Sequence, residues 1–514
     1  MRHLRTITAL ALGGVLFLQP VAVAATLYEA EEGTISQGVV ESNHAGFTGS
    51  GFVNFDNVTG SALTWTVDAP GPATLVFRYA NGTGADRPMT VAAGGTTTTL
   101  SFPATGSWTS WRTVTTRAAL AAGANVVKAT ATTAGGGPNL DSLSVDPAPD
   151  VDWSRAVVDA TMARHSPATL GGWGYTRGLY LWGQYLVWQR TGEARYLQYV
   201  KDWADRFVSA SGDIGQSFGN LDSMQSGNVL LALYRETGQA RYRTAAARIR
   251  ARLNTYPRTS DGGWWHSTSA SREGQLWGDG VYMADPFLAR YGAWVAADSF
   301  TATEPARQLE VYWSHLRRTS GTAAGLLYHA YDEPGGPTAP WVKPSLGHTN
   351  GISWCRAMGW FGMAVVDVLD LLPAAHPRRA ALVAILRDLV PAYARWQDQA
   401  TGRWFQIVTE PGDPSNWTET SCSAMYTYTI DKSVERGHVD ASYQVNADHG
   451  YQGVLARVTL GADGRAEITG ISEGTNASDS PAYYYGRARP VGDFHGLGAF
   501  LIMNEQLSPS SHPR

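Results

Sequence analysis

The sequence predicts two folds in series: a β-sandwich of jelly-roll type, then an all-α toroid of helical hairpins, an (α/α)6 barrel. Three observations carry this. From Thr26 to about Val145, strand-like runs are punctuated by Gly, Pro, Asn and Asp, and no helical period persists. From Trp153 onward, apolar residues recur at a spacing near 3.6 over about a dozen segments, with Gly and Pro between them. In that second part a quieter amphipathic helix alternates with one introduced by a Trp/Gly-rich loop. That is the rhythm of stacked hairpins whose inner helix ends line one cleft.

Taken in order, residues 1–25 read as a secretory signal: Arg2, His3 and Arg5, an apolar run from Ala9 to Leu18, then Ala22-Val23-Ala24 as a cleavage site. The run is too short to span a bilayer and no later stretch reaches about 20 apolar residues, so a secreted, extracellular protein is expected, with no membrane partner. A net charge of −4 argues against a nucleic-acid partner. Two cysteines among 514 residues exclude a disulfide scaffold and a Cys-based zinc site; Cys355 and Cys422 are either paired or free. Residues 26–147 form the predicted sandwich, 148–152 a short Pro-containing linker and 153–510 the toroid. Carboxylates at Glu29 and Glu31, near the first strand, and at Asp141, on the last, can make an oxygen-rich calcium site. The oligomeric state is not readable.

The richest stretch is Asp261–Tyr291, which gathers Trp264, Trp265, His266, Trp277, Asp279, Tyr282, Met283 and Asp285 among glycines. Flat aromatic faces stack on sugar rings and polar groups fix their hydroxyls. A carboxyl crowded by indoles is desolvated, which predicts a raised pKa and general-acid use for Asp279. Alternatively Asp279 caps the helix that follows. Further Trp/Gly-rich or polar loops precede other inner helices: Gly172–Gly178, Asn220–Gly227, Gly347–Trp360, Glu419–Met425 and Asp493–Gly496. Asp222 is either functional or an N-cap, His266 a sugar contact or a satisfied loop histidine, and Trp360 a wall or core residue.

Leu-Asp-x-Met at Leu221–Met224, Trp-x-Asp-Gly-x-Tyr-Met at Trp277–Met283, Ser-Trp-x-Arg-Ala-x-Gly-Trp at Ser353–Trp360 and Glu-Thr-Ser-x-Ser-Ala-Met at Glu419–Met425 occur in one order. From Trp153 to Glu505 the chain resembles the unsaturated uronyl hydrolases of glycoside hydrolase families 88 and 105, most of all the latter. The resemblance implies removal of a 4,5-unsaturated uronic acid from lyase-generated oligosaccharides, with Asp279 protonating the enol ether and Asp222 supporting it. It implies Arg356 and His348 at the substrate carboxylate, stacking walls from Trp173, Trp277, Trp354 and Trp360, a polar contact from His266, and no catalytic cofactor. The sandwich resembles carbohydrate-binding modules of family 35. By that resemblance Glu29, Glu31 and Asp141 hold structural calcium, while Arg78, Trp108 and Asn139 bind a sugar, an acidic one for choice. Cys355 and Cys422 stand where the family more often has small residues. Two other readings remain: an inverting glycosidase or polysaccharide lyase on the same toroid, and a non-catalytic sugar-binding protein.

Overall fold

The computed structural model describes residues 25–69, 71–118, 120–147, 151–336 and 338–508. The signal segment, apart from Ala25, lies outside them, as do most of the linker and residues 509–510. Two compact units are present, one ending at residue 149 and the other beginning at 150. No helix among the described residues is long and apolar enough to cross a membrane.

The first unit is a sandwich of antiparallel strands: β1 (Thr26–Glu29), β2 (Thr34–Ser36), β3 (Gly38–Glu41), β4 (Phe52–Phe55), β5 (Ala62–Ala69), β6 (Ala73–Ala80), β7 (Met89–Ala93), β8 (Thr96–Leu100), β9 (Trp111–Ala118), β10 (Gly123–Ala131) and β11 (Asn139–Pro147). One sheet runs β3-β4-β11-β6-β9 with β1 also on β11; the other runs β2-β5-β10-β7-β8. Alternation sets the core. Along β6, Leu75, Phe77 and Tyr79 point inward against Trp65 and Phe102, and the residues between them are half-buried. Because β1 pairs with β11 (Glu29 opposite Ser142), the first and last strands bring Glu29 beside Asp141.

The second unit is helical: α1 (Trp153–Arg164), α2 (Tyr175–Thr191), α3 (Ala194–Ala204), α4 (Gly227–Thr237), α5 (Ala240–Asn254), α6 (Gly280–Trp294), α7 (Ser299–Leu316), α8 (Cys355–Leu371), α9 (Arg379–Arg395), α10 (Thr420–Glu435), α11 (Gln444–Leu455), α12 (Pro481–Tyr485) and α13 (Phe494–Leu507). Helices α2, α4, α6, α8, α10 and α13 touch in turn, and α13 returns to α2, closing an inner ring. Helices α3, α5, α7, α9 and α11 each back the inner helix that precedes them, and α1 backs α13. This is the (α/α)6 barrel. Inner helices are buried nearly all round: Cys355 to Leu369 of α8 are buried without interruption. Outer α3 instead buries one stripe, Tyr196, Tyr199, Val200, Trp203 and Ala204.

Three expected helix starts move. Apolar spacing in the sequence starts helices at Ser223, Pro286 and Pro305, yet both prolines lie inside, α6 starting at Gly280 and α7 at Ser299. The true start of α7 is a capping box of Asp298 with Thr301. Residues 221–224 form a separate 3-10 turn ahead of α4.

Candidate active site

The loops entering the inner helices meet at one end of the barrel around a cavity of about 140 Å³, lined by Tyr175, Asp222, His266, Arg272, Trp277, Asp279, Met283 and Gly474–Asn476. Tyr175 opens α2, Asp222 sits in the turn before α4, and Asp279 immediately precedes α6. Inner-helix N-termini surrounding the cavity favour negative charge there.

Neither carboxylate is a cap. The N-cap of the 221–224 turn is Asn220, whose side chain accepts from Ser223 N at 2.9 Å, which frees Asp222. Asp279 is already in helical conformation and its side chain makes no capping hydrogen bond. Its partner is a residue absent from the sequence-derived set, His329, whose Nε2 lies 3.4 Å from Asp279 Oδ2. A short ribbon places it there. Strand β12 (Gln275–Trp277) pairs with β13 (Ala330–Asp332), Gly278 N–H donates to the His329 carbonyl, and the Tyr484 hydroxyl lies 2.8 Å from His329 Nδ1.

The electrostatics correct one expectation. Burial does push the Asp279 carboxyl up, but the contact and charge of His329 outweigh it and hold the group below the usual carboxylate range. The raised carboxyl is Asp222, pushed up to about 7 by burial and then by the negative charge of Asp279, with Arg272 opposing. The two acids thus behave as a coupled pair carrying one proton near neutrality, and in the free site that proton rests on Asp222. His266 is driven down to about 3, chiefly by burial, so it is a neutral ring; it stacks on Trp277 with centroids 4.4 Å apart and planes at 7°.

The aromatic set divides. Trp277 lines the cavity, with its indole N–H on Gln275 Oε1 at 3.0 Å and the Arg272 guanidinium 4.4 Å over its ring. The other three expected walls lie behind the cavity. Trp173 donates to the Ser223 carbonyl at 2.7 Å and stacks on Trp203, which steadies the turn bearing Asp222. Trp354 is buried with its centroid 4.5 Å from His329. Trp360 is core, packed on Tyr282 and edge-on to Tyr175.

The expected carboxylate partners are also corrected. Arg356 is fully buried and its donors are taken by the carbonyls of Ser472 and Glu473, at 2.5 and 2.7 Å. His348, at a left-handed φ of 61°, is outside the cavity lining and interacts with Asp332. The cavity cation is Arg272, on an exposed turn that no motif marked. Tyr175 was likewise inside a recognised loop without being singled out. Its hydroxyl lies 2.6 Å from His495 Nε2, and His495 Nδ1 lies 2.6 Å from Asp493 Oδ1. Cys355 and Cys422 form a disulfide with Cα atoms 5.7 Å apart, joining the first turns of α8 and α10.

In the first unit, Thr48 Oγ is 2.9 Å from Glu29 Oε2 and 2.8 Å from Asp141 Oδ2, and Glu31 Oε1 accepts from Ser50 N at 2.6 Å and Gly51 N at 3.2 Å. Arg78, expected at a sugar, is instead paired with Asp141 and with the Gly46 carbonyl, so it completes the carboxylate cluster. Asn139 is buried. Trp108 is half-buried, stacked near His44 and packed against Gly82, with Arg87 over its ring. Trp111 is half-buried, edge-on to Phe52.

Comparison with known proteins fits both units. Residues 153–507 match the model of Glycosyl Hydrolase Family 88, and residues 29–147 match that of carbohydrate binding module family 6. A solved family 105 glycoside hydrolase from C. acetobutylicum ATCC 824 superposes with a TM-score of 0.64 at 30% identity, covering 69% of this chain and 99% of that one. The unsaturated rhamnogalacturonyl hydrolase YesR of Bacillus subtilis (strain 168) is 26% identical over 277 residues, 51% of this chain and 74% of that protein. Through the module alone, an exo-beta-D-glucosaminidase of Amycolatopsis orientalis is 52% identical over 122 residues, 23% of this chain, and an endo-1,4-beta-xylanase B of Cellvibrio japonicus (strain Ueda107) is 47% identical over 125 residues, also 23% of this chain. The chain spans only 12% and 21% of the lengths of those two proteins.

Proposed function

Because the chain belongs to glycosyl hydrolase family 88, and is a glycoside hydrolase with an attached carbohydrate-binding module, we propose that it removes a terminal 4,5-unsaturated uronic acid from oligosaccharides released by polysaccharide lyases. The observation that carries this reading is the coupled acid pair Asp222–Asp279 set beside a single cavity cation, Arg272, above the Trp277 ring. A uronate offers that cation a charged, bidentate acceptor, which a neutral sugar lacks.

In this reading the enol ether is protonated at C4 by a carboxyl group. Water then adds at C5 and gives up its proton to the same carboxylate, and the resulting hemiketal opens and releases the sugar beyond. Asp279 is the proton donor. The proton of the free site sits on Asp222, and a bound uronate adds negative charge and excludes water, both of which favour the neutral form of Asp279. Asp222 then carries the remaining charge and steers the water. One group serving as acid and then base removes the need for a second, independent catalytic carboxylate. The similarity to YesR favours a rhamnogalacturonan or pectin-type substrate over a glucuronate-type one.

In the module we assign calcium to Glu29, Glu31 and Asp141. A single Thr48 hydroxyl proton cannot serve both oxygens it faces, and Glu31 Oε2 is buried without a partner. Three carboxylates with an oxygen left unpaired among them suit a hard cation. A cleaved signal segment would place the enzyme outside the cell, where lyase products arise.

The test follows the enol-ether ultraviolet absorbance of lyase-made rhamnogalacturonan and glucuronan oligosaccharides. Wild type should abolish the signal, faster on the rhamnogalacturonan products, and Asp279→Asn should lower kcat about 10²–10⁴-fold. Cleavage of saturated polymers with the unsaturated signal intact would instead establish an inverting glycosidase.

A further inference from the structure

A short stretch, Ser472–Asn476, runs from the buried frame of the barrel to the cavity wall. Its inner end is gripped on both sides of one residue. Ser472 N–H donates to Glu419 Oε1 at 2.8 Å, and the Ser472 carbonyl accepts from Arg356 at 2.5 Å. Arg356 also reaches the Glu473 carbonyl at 2.7 Å. Arg356 and Glu419 are buried and 4.0 Å apart. A buried ion pair of this kind is tolerated only when its remaining polar atoms are satisfied. They are: Glu419 Oε2 accepts from Ser421 Oγ at 2.7 Å and Cys422 N at 2.6 Å. The Cys355–Cys422 disulfide ties the residue before Arg356 to the turn that holds Glu419.

The outer end of the stretch emerges at Gly474 and Asn476, both exposed. There Arg487 donates to the Gly474 carbonyl at 2.7 Å, and Asn476 N–H donates to the Tyr483 hydroxyl at 3.0 Å. The Asn476 side chain then accepts from Arg272 at 2.9 Å. Arg272 has little else to hold it, because no residue of its 270–272 turn is buried. An arginine on such a turn has many accessible rotamers, and ordering it by contacts outside the turn removes that freedom before a ligand arrives. The contacts available are the Trp277 face beneath it and Asn476 beside it.

We infer that Arg356 and Glu419 are positioning residues that fix the Ser472–Asn476 strap so that Asn476 holds Arg272 at the cavity, thereby setting the preference for carboxylate-bearing sugars. This rests on the uronyl reading for the choice of ligand, but the mechanical coupling does not. Arg356 thus serves the carboxylate at one remove: it orders the cation that meets it.

The test uses the full-length protein with Asn476→Ala, an exposed change that leaves the buried pair intact, and with Arg356→Met and Arg356→Lys. Hydrogen exchange of the free proteins should show faster exchange in both 472–476 and 270–274 for Arg356→Met. It should be faster in 270–274 for Asn476→Ala. Unchanged exchange at 270–274 in a folded Asn476→Ala protein overturns the coupling, whatever the ligand. Calorimetric binding of D-galacturonate and D-glucuronate should weaken about 5–20-fold in both variants. KM on unsaturated oligosaccharides should rise in step and by a larger factor than kcat falls, because Arg272 meets the substrate directly and bears on Asp222 only through its charge. Arg356→Lys should recover part of the affinity, as one ammonium reaches one carbonyl and not two. A fall in kcat with KM unchanged overturns the positioning role. Failure of wild type to bind either uronate removes the ligand assignment, while the exchange result still decides the strap.

Discussion

The two carboxylate clusters of this chain differ in what surrounds them. In the sandwich, Asp141 has Arg78 and the Thr48 backbone and hydroxyl, while Glu31 has two backbone N–H groups. In the barrel, Asp279 has a long contact to a histidine, and Asp222 has His266 at 3.9 Å and little else. Donors and cations stabilise charge, so the first cluster is suited to holding a cation. Removing them leaves desolvation and mutual repulsion to act, so the second pair shares a proton. Burial raises the Glu29 carboxyl too, and the Thr48 hydroxyl offsets that rise only in part. Carboxylate chemistry is therefore assigned less by the acids themselves than by the donors left beside them.

The largest expected effect comes from neutralising the raised acid. Asp222→Asn should cost about 10²–10⁴ in kcat, because a neutral amide cannot hold the charge needed when Asp279 takes the proton. It should also change stability with a defined sign. A carboxyl raised from near 4 to about 7 on folding contributes stability at low pH that is lost as pH rises through 7. The amide has no such loss. Thermal unfolding of the variant should therefore match wild type at pH 4 and occur at higher temperature at pH 8. Activity of wild type should fall on the alkaline side above about pH 7, with apparent pKa values that belong to the pair. A variant less stable than wild type at pH 8 would show that Asp222 is held charged, and the contrast between clusters would collapse.

A smaller effect tests the other side. If the sandwich cluster holds calcium, saturating ion at 100 times its Kd adds about 2.7 kcal/mol to that unit. Chelation should lower its unfolding midpoint, and Glu31→Gln should abolish the response to calcium. Equal midpoints with calcium and with chelator would leave the cluster as a purely hydrogen-bonded joint between the first and last strands.

Much of this was legible in the sequence, and the omissions share a cause. Helical period and strand alternation are local, so the sandwich, the hairpin rhythm and most helices could be read directly. Pro286 and Pro305 misled because proline reads as a start, whereas Gly280 and the Asp298–Thr301 capping box supply the starts. Asp222 and Asp279 could be singled out because they sit in loops dense in unusual residues. His329, Arg272 and Asn476 could not. His329 reaches Asp279 through the β12–β13 ribbon and Asn476 the cavity through the strap held by Arg356, and Arg272, although inside the Asp261–Tyr291 stretch, meets Asn476 only across 204 residues of chain. Arg356 shows the reverse failure. Its motif is plain, yet only its burial and the carbonyls it meets reveal that it acts on backbone.

The smallest expected effect sharpens the comparison most directly, because it changes one hydroxyl and no charge. Thr48→Val keeps the shape of the side chain and removes the group facing Glu29 and Asp141. Without that donor Glu29 loses its hydroxyl partner while Asp141 keeps Arg78 and the Thr48 N–H, so the metal-free unit should lose about 1 kcal/mol, the net worth of one hydrogen bond. With calcium present the loss should shrink, since the ion replaces the donor. In the titration of the metal-free protein, the Glu29 carboxyl should move further up, toward the behaviour of Asp222. A threonine hydroxyl would then be the difference between an acid held ionised and an acid that keeps its proton. If Thr48→Val destabilises equally with and without calcium, the hydroxyl is a packing element, and the cluster is held by Arg78 and its backbone N–H donors.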